Sequence, residues 1–131
     1  MIAILVVAHT PLASALAACA KHVLGTDPDI TALDIEPGEC AQDCSPRVAQ
    51  LIIDSDRGDG VLVLTDLPGA SPSNIAVKAC EVAHREGTPC CVLGGANAAM
   101  LLRAINYRQG SLEDVAASAL AGATHSVLRV D

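Results

Sequence analysis

Phenylalanine and tryptophan are absent from this 131-residue chain, and Tyr107 is its only aromatic residue. Recognition of nucleic acid by stacking bases on aromatic side chains is thereby excluded. Positive charge is scarce as well: 8 Lys and Arg stand against 15 Asp and Glu, for a formal net charge of −7 at pH 7. Phosphate-backbone binding runs on clustered Lys and Arg, so no nucleic-acid partner is expected, whereas a protein with a basic face is a suitable one. Long hydrophobic runs are missing too. The apolar stretch from Ile2 to Ala8 is too short to span a bilayer, has no basic segment before it and lacks a small-residue cleavage site. A cytoplasmic protein without direct membrane insertion is expected. No GxxxxGK[ST] segment is present, and Gly94-Gly95 lacks the spacing of a dinucleotide fingerprint, so nothing calls for a nucleotide cofactor.

The six cysteines are scattered as Cys19, Cys40, Cys44, Cys80 and Cys90-Cys91. Cys40-x3-Cys44 alone offers two metal ligands with no second pair, so no metal is expected and most of the thiols read as small core residues. The core has to be aliphatic, built from Val, Leu, Ile and Ala, and with 51% hydrophobic residues the chain has enough of them for one domain over residues 1–131.

Strand-like runs at Ile2 to Ala8, Ile30 to Ile35, Gly60 to Thr65 and Pro89 to Leu93 alternate with helix-like stretches. That alternation predicts an α/β fold with a mainly parallel sheet. Leu12, Leu16, Cys19, Ala20 and Val23 fall at helical spacing, with Thr10 as N-cap, Pro11 at the first helical position and Gly25 as terminator. A second helix is expected within Ala41 to Ser55, where Pro46 either follows a Ser45 cap or sits in an irregular first turn. A third runs from about Pro72 to Arg85 with Ser71 as N-cap and Gly87 as stop. Two more cover Asn97 to about Tyr107 and Leu112 to about Ala121, and Val127 to Val130 reads as a final edge strand. His22, His84 and His125 are assigned no chemistry, and Arg47, Arg103, Arg108 and Arg129 are expected at the surface.

In open parallel sheets, ligands bind beyond the carboxyl ends of the strands. Three such junctions stand out: Ala8-His9-Thr10-Pro11, the segment from Thr65 to Asn74, and Leu93-Gly94-Gly95-Ala96-Asn97. A neutral imidazole is a competent nucleophile near neutral pH, which makes His9 the candidate phosphoryl acceptor. A carboxylate from Asp66 on one ring nitrogen would fix the tautomer and free the other nitrogen to attack. Ser71 and the amides following Gly69 and Ala70 are then candidates to hold the oxygens of a transferring group, with Ser71 an oxygen ligand and not a nucleophile.

Taken together, His9, the segment from Leu64 through Asp66-Leu67-Pro68-Gly69-Ala70-Ser71-Pro72-Ser73-Asn74, and the segment from Gly94 to Leu101 resemble the IIA domain of the mannose family of the sugar phosphotransferase system. The similarity spans essentially the whole chain. It implies a strand-end histidine, matched by His9, that takes a phosphoryl group from phospho-HPr, with Asp66 as its hydrogen-bond partner and Thr10, Gly69, Ala70 and Ser71 around the phosphoryl group. The group would pass to a IIB-type partner or serve as a regulatory signal. The resemblance also implies a three-layer α/β/α sandwich with four parallel strands, a last antiparallel strand matched by Val127 to Val130, and a homodimer in which that strand can be exchanged. Ala70 stands where the family has a second glycine, an exchange that is mild at negative φ. Two other readings are a regulatory interaction module without a transport role and a flavodoxin-like small-ligand binder.

Overall fold

The computed structural model describes all residues, 1–131. The elements run β1 (Ala3–His9), α1 (Leu12–Leu24), β2 (Thr31–Ile35), α2 (Ala41–Ser55), β3 (Val61–Thr65), α3 (Ser71–Arg85), β4 (Cys90–Leu93), α4 (Ala98–Tyr107) and α5 (Leu112–Ser126). All four strands are parallel, in the order β2-β1-β3-β4. Strands covered on both faces need apolar side chains at every position, which is why β1 and β3 read as unbroken aliphatic runs. Alternate residues of β1 serve two cores. Leu5 and Val7 pack with Val48, Ile52, Ile75 and Ala79 of α2 and α3. Ile4 and Val6 pack with Leu16, Met100, Leu101 and Val115 of α1, α4 and α5. The expected three-layer sandwich follows from that division.

Helix ends follow local chemistry, with exceptions. Gly25 closes α1 in the left-handed conformation at φ 74°. Asn97 caps α4 by accepting from the Met100 amide, and Ser111 caps α5 by accepting from the Asp114 amide. Thr10 does not cap α1: Pro11, joined to Thr10 by a cis peptide bond, is the residue outside the first turn. The cap comes from β2 instead, where Asp34 accepts from both the backbone amide and the hydroxyl of Ser14. Ser71 does not cap α3 either; it is the first helical residue, after Ala70, and no side chain caps that end. In α2, Pro46 lies inside a continuous helix and Ser45 is a buried helical residue, so the helix starts at Ala41, after Cys40 in an extended conformation, and neither Ser45 nor Pro46 marks its end.

Residues 127–130 pair with no strand of this chain. The Ala-rich sequence carries α5 past Ala121 to Ser126, and Val127, Leu128 and Val130 are left exposed beyond it. Arg108 also departs from expectation. It is buried, donating from Nε to the Ile2 carbonyl and from Nη1 to the carbonyls of Pro28 and Asp29, while its own carbonyl accepts from the Ile2 amide. A guanidinium is worth burying where several carbonyls at strand entrances lack partners. Burial and the nearby Arg57 charge lower its pKa without discharging it. Arg108→Met is therefore expected to destabilise the fold by about 3 kcal/mol in urea titration, because those carbonyls lose a charged donor. A midpoint unchanged from wild type would contradict this role.

Candidate active site

Strand order places the chemistry. β1 leads through α1 to β2 on one side, and β3 leads through α3 to β4 on the other, with α1 and α3 on opposite faces of the sheet. The chain therefore parts between β1 and β3, opening a crevice at their carboxyl ends. His9 is the last residue of β1, and Asp66 directly follows β3.

The two side chains meet there. His9 Nδ1 lies 2.7 Å from Asp66 Oδ2, and the same oxygen accepts from the His9 backbone amide at 3.0 Å. Asp66 is buried, and burial pushes its pKa up. The hydrogen bonds from the His9 ring and from the backbone amides of His9 and Leu67 outweigh that, holding the carboxyl below the usual carboxylate range. An ionised carboxylate can only accept, so Nδ1 carries the proton and the lone pair of Nε2 is left free. The imidazole is roughly half exposed, at 47% of its side-chain surface. It opens into a hollow of about 580 Å³ lined by His9, Thr10, Leu12, Asp66, Leu67, Gly95 and Ala96.

The other two predicted junctions contribute to this wall as well, through Leu67 after β3 and Gly95 and Ala96 after β4. Gly95 and Ala96 donate their amides to the carbonyls of Asp66 and Thr65, fastening the β4–α4 loop to the end of β3. A Cβ on Gly94 would lie 2.7 Å from the Pro68 ring, so the close approach of these loops requires glycine there. The signal in the sequence was the Gly94-Gly95 pair after a strand, which marked a junction but gave no role. Leu67, 62% exposed, adds an apolar side chain beside the imidazole that no sequence pattern singled out.

The expected oxygen-holding residues are only partly gathered. Thr10 lines the hollow, but its amide is committed to the Ile35 carbonyl, leaving the hydroxyl. Gly69, Ala70 and Ser71 are not in the lining; they form the turn that enters α3. Gly69 takes φ +86°, as a glycine-requiring turn predicts, and Ala70 takes φ −80°, where alanine is unstrained. The Ala70 amide is spent on the Leu67 carbonyl, so it is not a free donor. No group of three or more His, Cys, Asp or Glu side chains is placed to share a metal ion.

Residues 3–120 match the family described as EIIA-man, PTS system fructose IIA component. The chain belongs to that family. Among solved structures, this IIA chain superposes on phosphotransferase system component EIIA from Streptococcus agalactiae with a TM-score of 0.84 at 22% identity, covering 98% of this chain and 97% of that one. It superposes on the mannose/sorbose specific IIA subunit of the phosphotransferase system from Enterococcus faecalis with a TM-score of 0.85 at 20% identity, covering 99% and 95%. A sigma-54 interaction domain protein from Enterococcus faecalis gives 0.78 at 21% identity, covering 96% and 93%. At such identities the likeness concerns the fold of the IIA component. No curated protein matches this chain in sequence. No helix of the structure is long and apolar enough to cross a membrane.

Proposed function

We propose that this IIA component is a phosphocarrier in which His9 accepts a phosphoryl group from phospho-HPr and later yields it to a IIB-type acceptor. The observation that carries this reading is the 2.7 Å contact between His9 Nδ1 and Asp66, which leaves Nε2 unblocked in an open hollow. Nε2 attacks phosphorus in line as the N–P bond to the HPr imidazole breaks, and that imidazole departs with the bonding electrons. Nδ1 keeps its proton, and the positive charge acquired by the His9 ring is offset by Asp66. One imidazole replaces another, so the transfer is nearly balanced and the protein has chiefly to align the two rings and spread charge.

Helix termini favour one side of the crevice for the phosphoryl oxygens. The N-terminus of α1 already holds the Asp34 carboxylate, and that of α4 holds the Asn97 side chain. The first turn of α3 is uncapped, and the amides of Ser71 and Ser73 have no acceptor within the chain. Ser71, with its exposed hydroxyl, and the turn at Gly69 and Ala70 are thus the proposed phosphoryl-binding edge, opposite the Thr10 hydroxyl. The exposed residues 127–130 suit pairing with a second subunit, giving the exchanged-strand homodimer. The test is incubation with phosphoenolpyruvate, enzyme I and HPr. One phosphoryl group per chain, stable to alkali and released by acid, is expected; no incorporation at equilibrium would refute the carrier reading.

The regulatory reading draws support from the similarity to the sigma-54 interaction domain protein. A phosphoryl group at His9 adds negative charge beside exposed Leu67, a change that alters what docks there. Pull-downs with phosphorylated and unphosphorylated protein separate this from a pure relay, since identical partner sets would leave it without support.

A further inference from the structure

At the end of the sheet remote from His9, where β1 and β2 begin and α2 ends, lies a second hollow of about 190 Å³, walled by Asp29, Thr31, Asp54, Asp56, Arg57 and Arg108 among others. Arg108 is 6% exposed, and its Nε and Nη1 are committed to the carbonyls of Ile2, Pro28 and Asp29. Its Nη2 has no acceptor in the chain, so this is the donor that Arg108 has left to offer the hollow. Asp29 ties it to a second guanidinium: the Asp29 carbonyl accepts from Arg108 Nη1 at 3.1 Å, and Asp29 Oδ2 accepts from Arg57 Nη2 at 2.6 Å. The remaining charged groups are carboxylates at the C-terminus of α2, where the helix carbonyls already carry partial negative charge and no basic residue stands in the last turn. Asp54 Oδ1 accepts from Gln50, and Asp56 Oδ1 accepts from the amides of Gly58 and Gly60, which leaves Oδ2 of each open.

We propose that this hollow is a binding site for a free α-amino acid, its carboxylate on Arg108 Nη2 and Arg57 and its ammonium group on Asp54 and Asp56. The charge pattern selects that chemistry. Phosphate or a dicarboxylate would meet the two aspartates, and a simple cation would meet the two guanidiniums, whereas a molecule with both charges a few bonds apart pairs with each set. Size agrees, since the hollow exceeds the share of about 30 Å³ that one water takes and has room for a small organic molecule. The site stands at the opposite end of β1 from His9, so a bound amino acid leaves the crevice open.

The test is isothermal titration of the full chain with each standard L-amino acid at millimolar concentration. Saturable binding of at least one is expected, with its N-acetyl derivative and its methyl ester, each lacking one of the two charges, weaker by about tenfold or more. Saturation should shift the amide resonances of Thr31, Gly58 and Gly60 in the wild-type chain. Arg57→Gln, at a side chain 40% exposed and checked for folding by circular dichroism, should weaken binding by about tenfold, and Asp54→Asn likewise. Absence of binding by every amino acid would overturn the proposal. So would equal affinity of the acetylated or esterified form, equal affinity of inorganic phosphate, or resonance shifts confined to the His9 crevice. The wild-type arms decide the matter without any variant, and without reference to phosphoryl transfer.

Discussion

His9→Ala is expected to take no phosphoryl group from phospho-HPr, a complete loss against the one group per chain expected of wild type. No other imidazole could replace it, because His22, His84 and His125 are on helices and none lines the crevice between β1 and β3. The loss should be chemical and not a failure to fold. The ring is half exposed, and Asp66 would still accept from the backbone amides of His9 and Leu67. Phosphate-affinity electrophoresis reads the incorporation and circular dichroism reads the fold. Label persisting on a folded His9→Ala chain would remove His9 from the mechanism.

Asp66→Asn should slow transfer by roughly 100-fold, with the acceptor residue unchanged. An asparagine amide in that place can donate to Nδ1, which moves the ring proton to Nε2 and occupies the lone pair that attacks. Single-turnover measurements with phospho-HPr distinguish this from weaker docking, since the maximal rate falls and the half-saturating donor concentration does not rise with it. Equal rates for the two proteins would show that the carboxylate does not matter. The same substitution affects acid stability. Because the folded Asp66 pKa is depressed, its contribution is fully present above the ordinary carboxylate range and is lost as pH falls through the depressed value. Asp66→Asn should therefore flatten the acid limb of the stability profile.

The residues that declare the fold are those whose preferences are local. Aliphatic runs at Ile2 to Ala8 and Gly60 to Thr65 placed β1 and β3 within a residue of their ends, and Gly25, Asn97 and Ser111 marked helix ends by their own backbone or side-chain chemistry. What escaped the sequence depends on contacts between distant segments. Arg108 looks like any arginine near a helix end, and only the fold supplies the carbonyls of Ile2, Pro28 and Asp29 that draw it inside. Asp34 caps a helix 20 residues earlier in the chain, and no local pattern announces such a cap. The His9–Asp66 pair was legible because each follows a strand and parallel strands align their carboxyl ends. That the Ala70 amide is taken up by the Leu67 carbonyl is a matter of the turn's geometry, which the residue types alone do not declare.

Tyr107 sits at the end of α4, half exposed, with the Arg103 guanidinium 5.6 Å from its ring centroid. With no other chromophoric side chain in the chain, ultraviolet emission reports on one patch of outer helix and is blind to both cores. Melting curves for the Arg108 and Asp66 variants are thus to be taken from amide absorption in the far ultraviolet. The quiet background has a use of its own: a tryptophan installed at Leu67 would stand alone in the spectrum, and its quenching would time the arrival of HPr at the crevice.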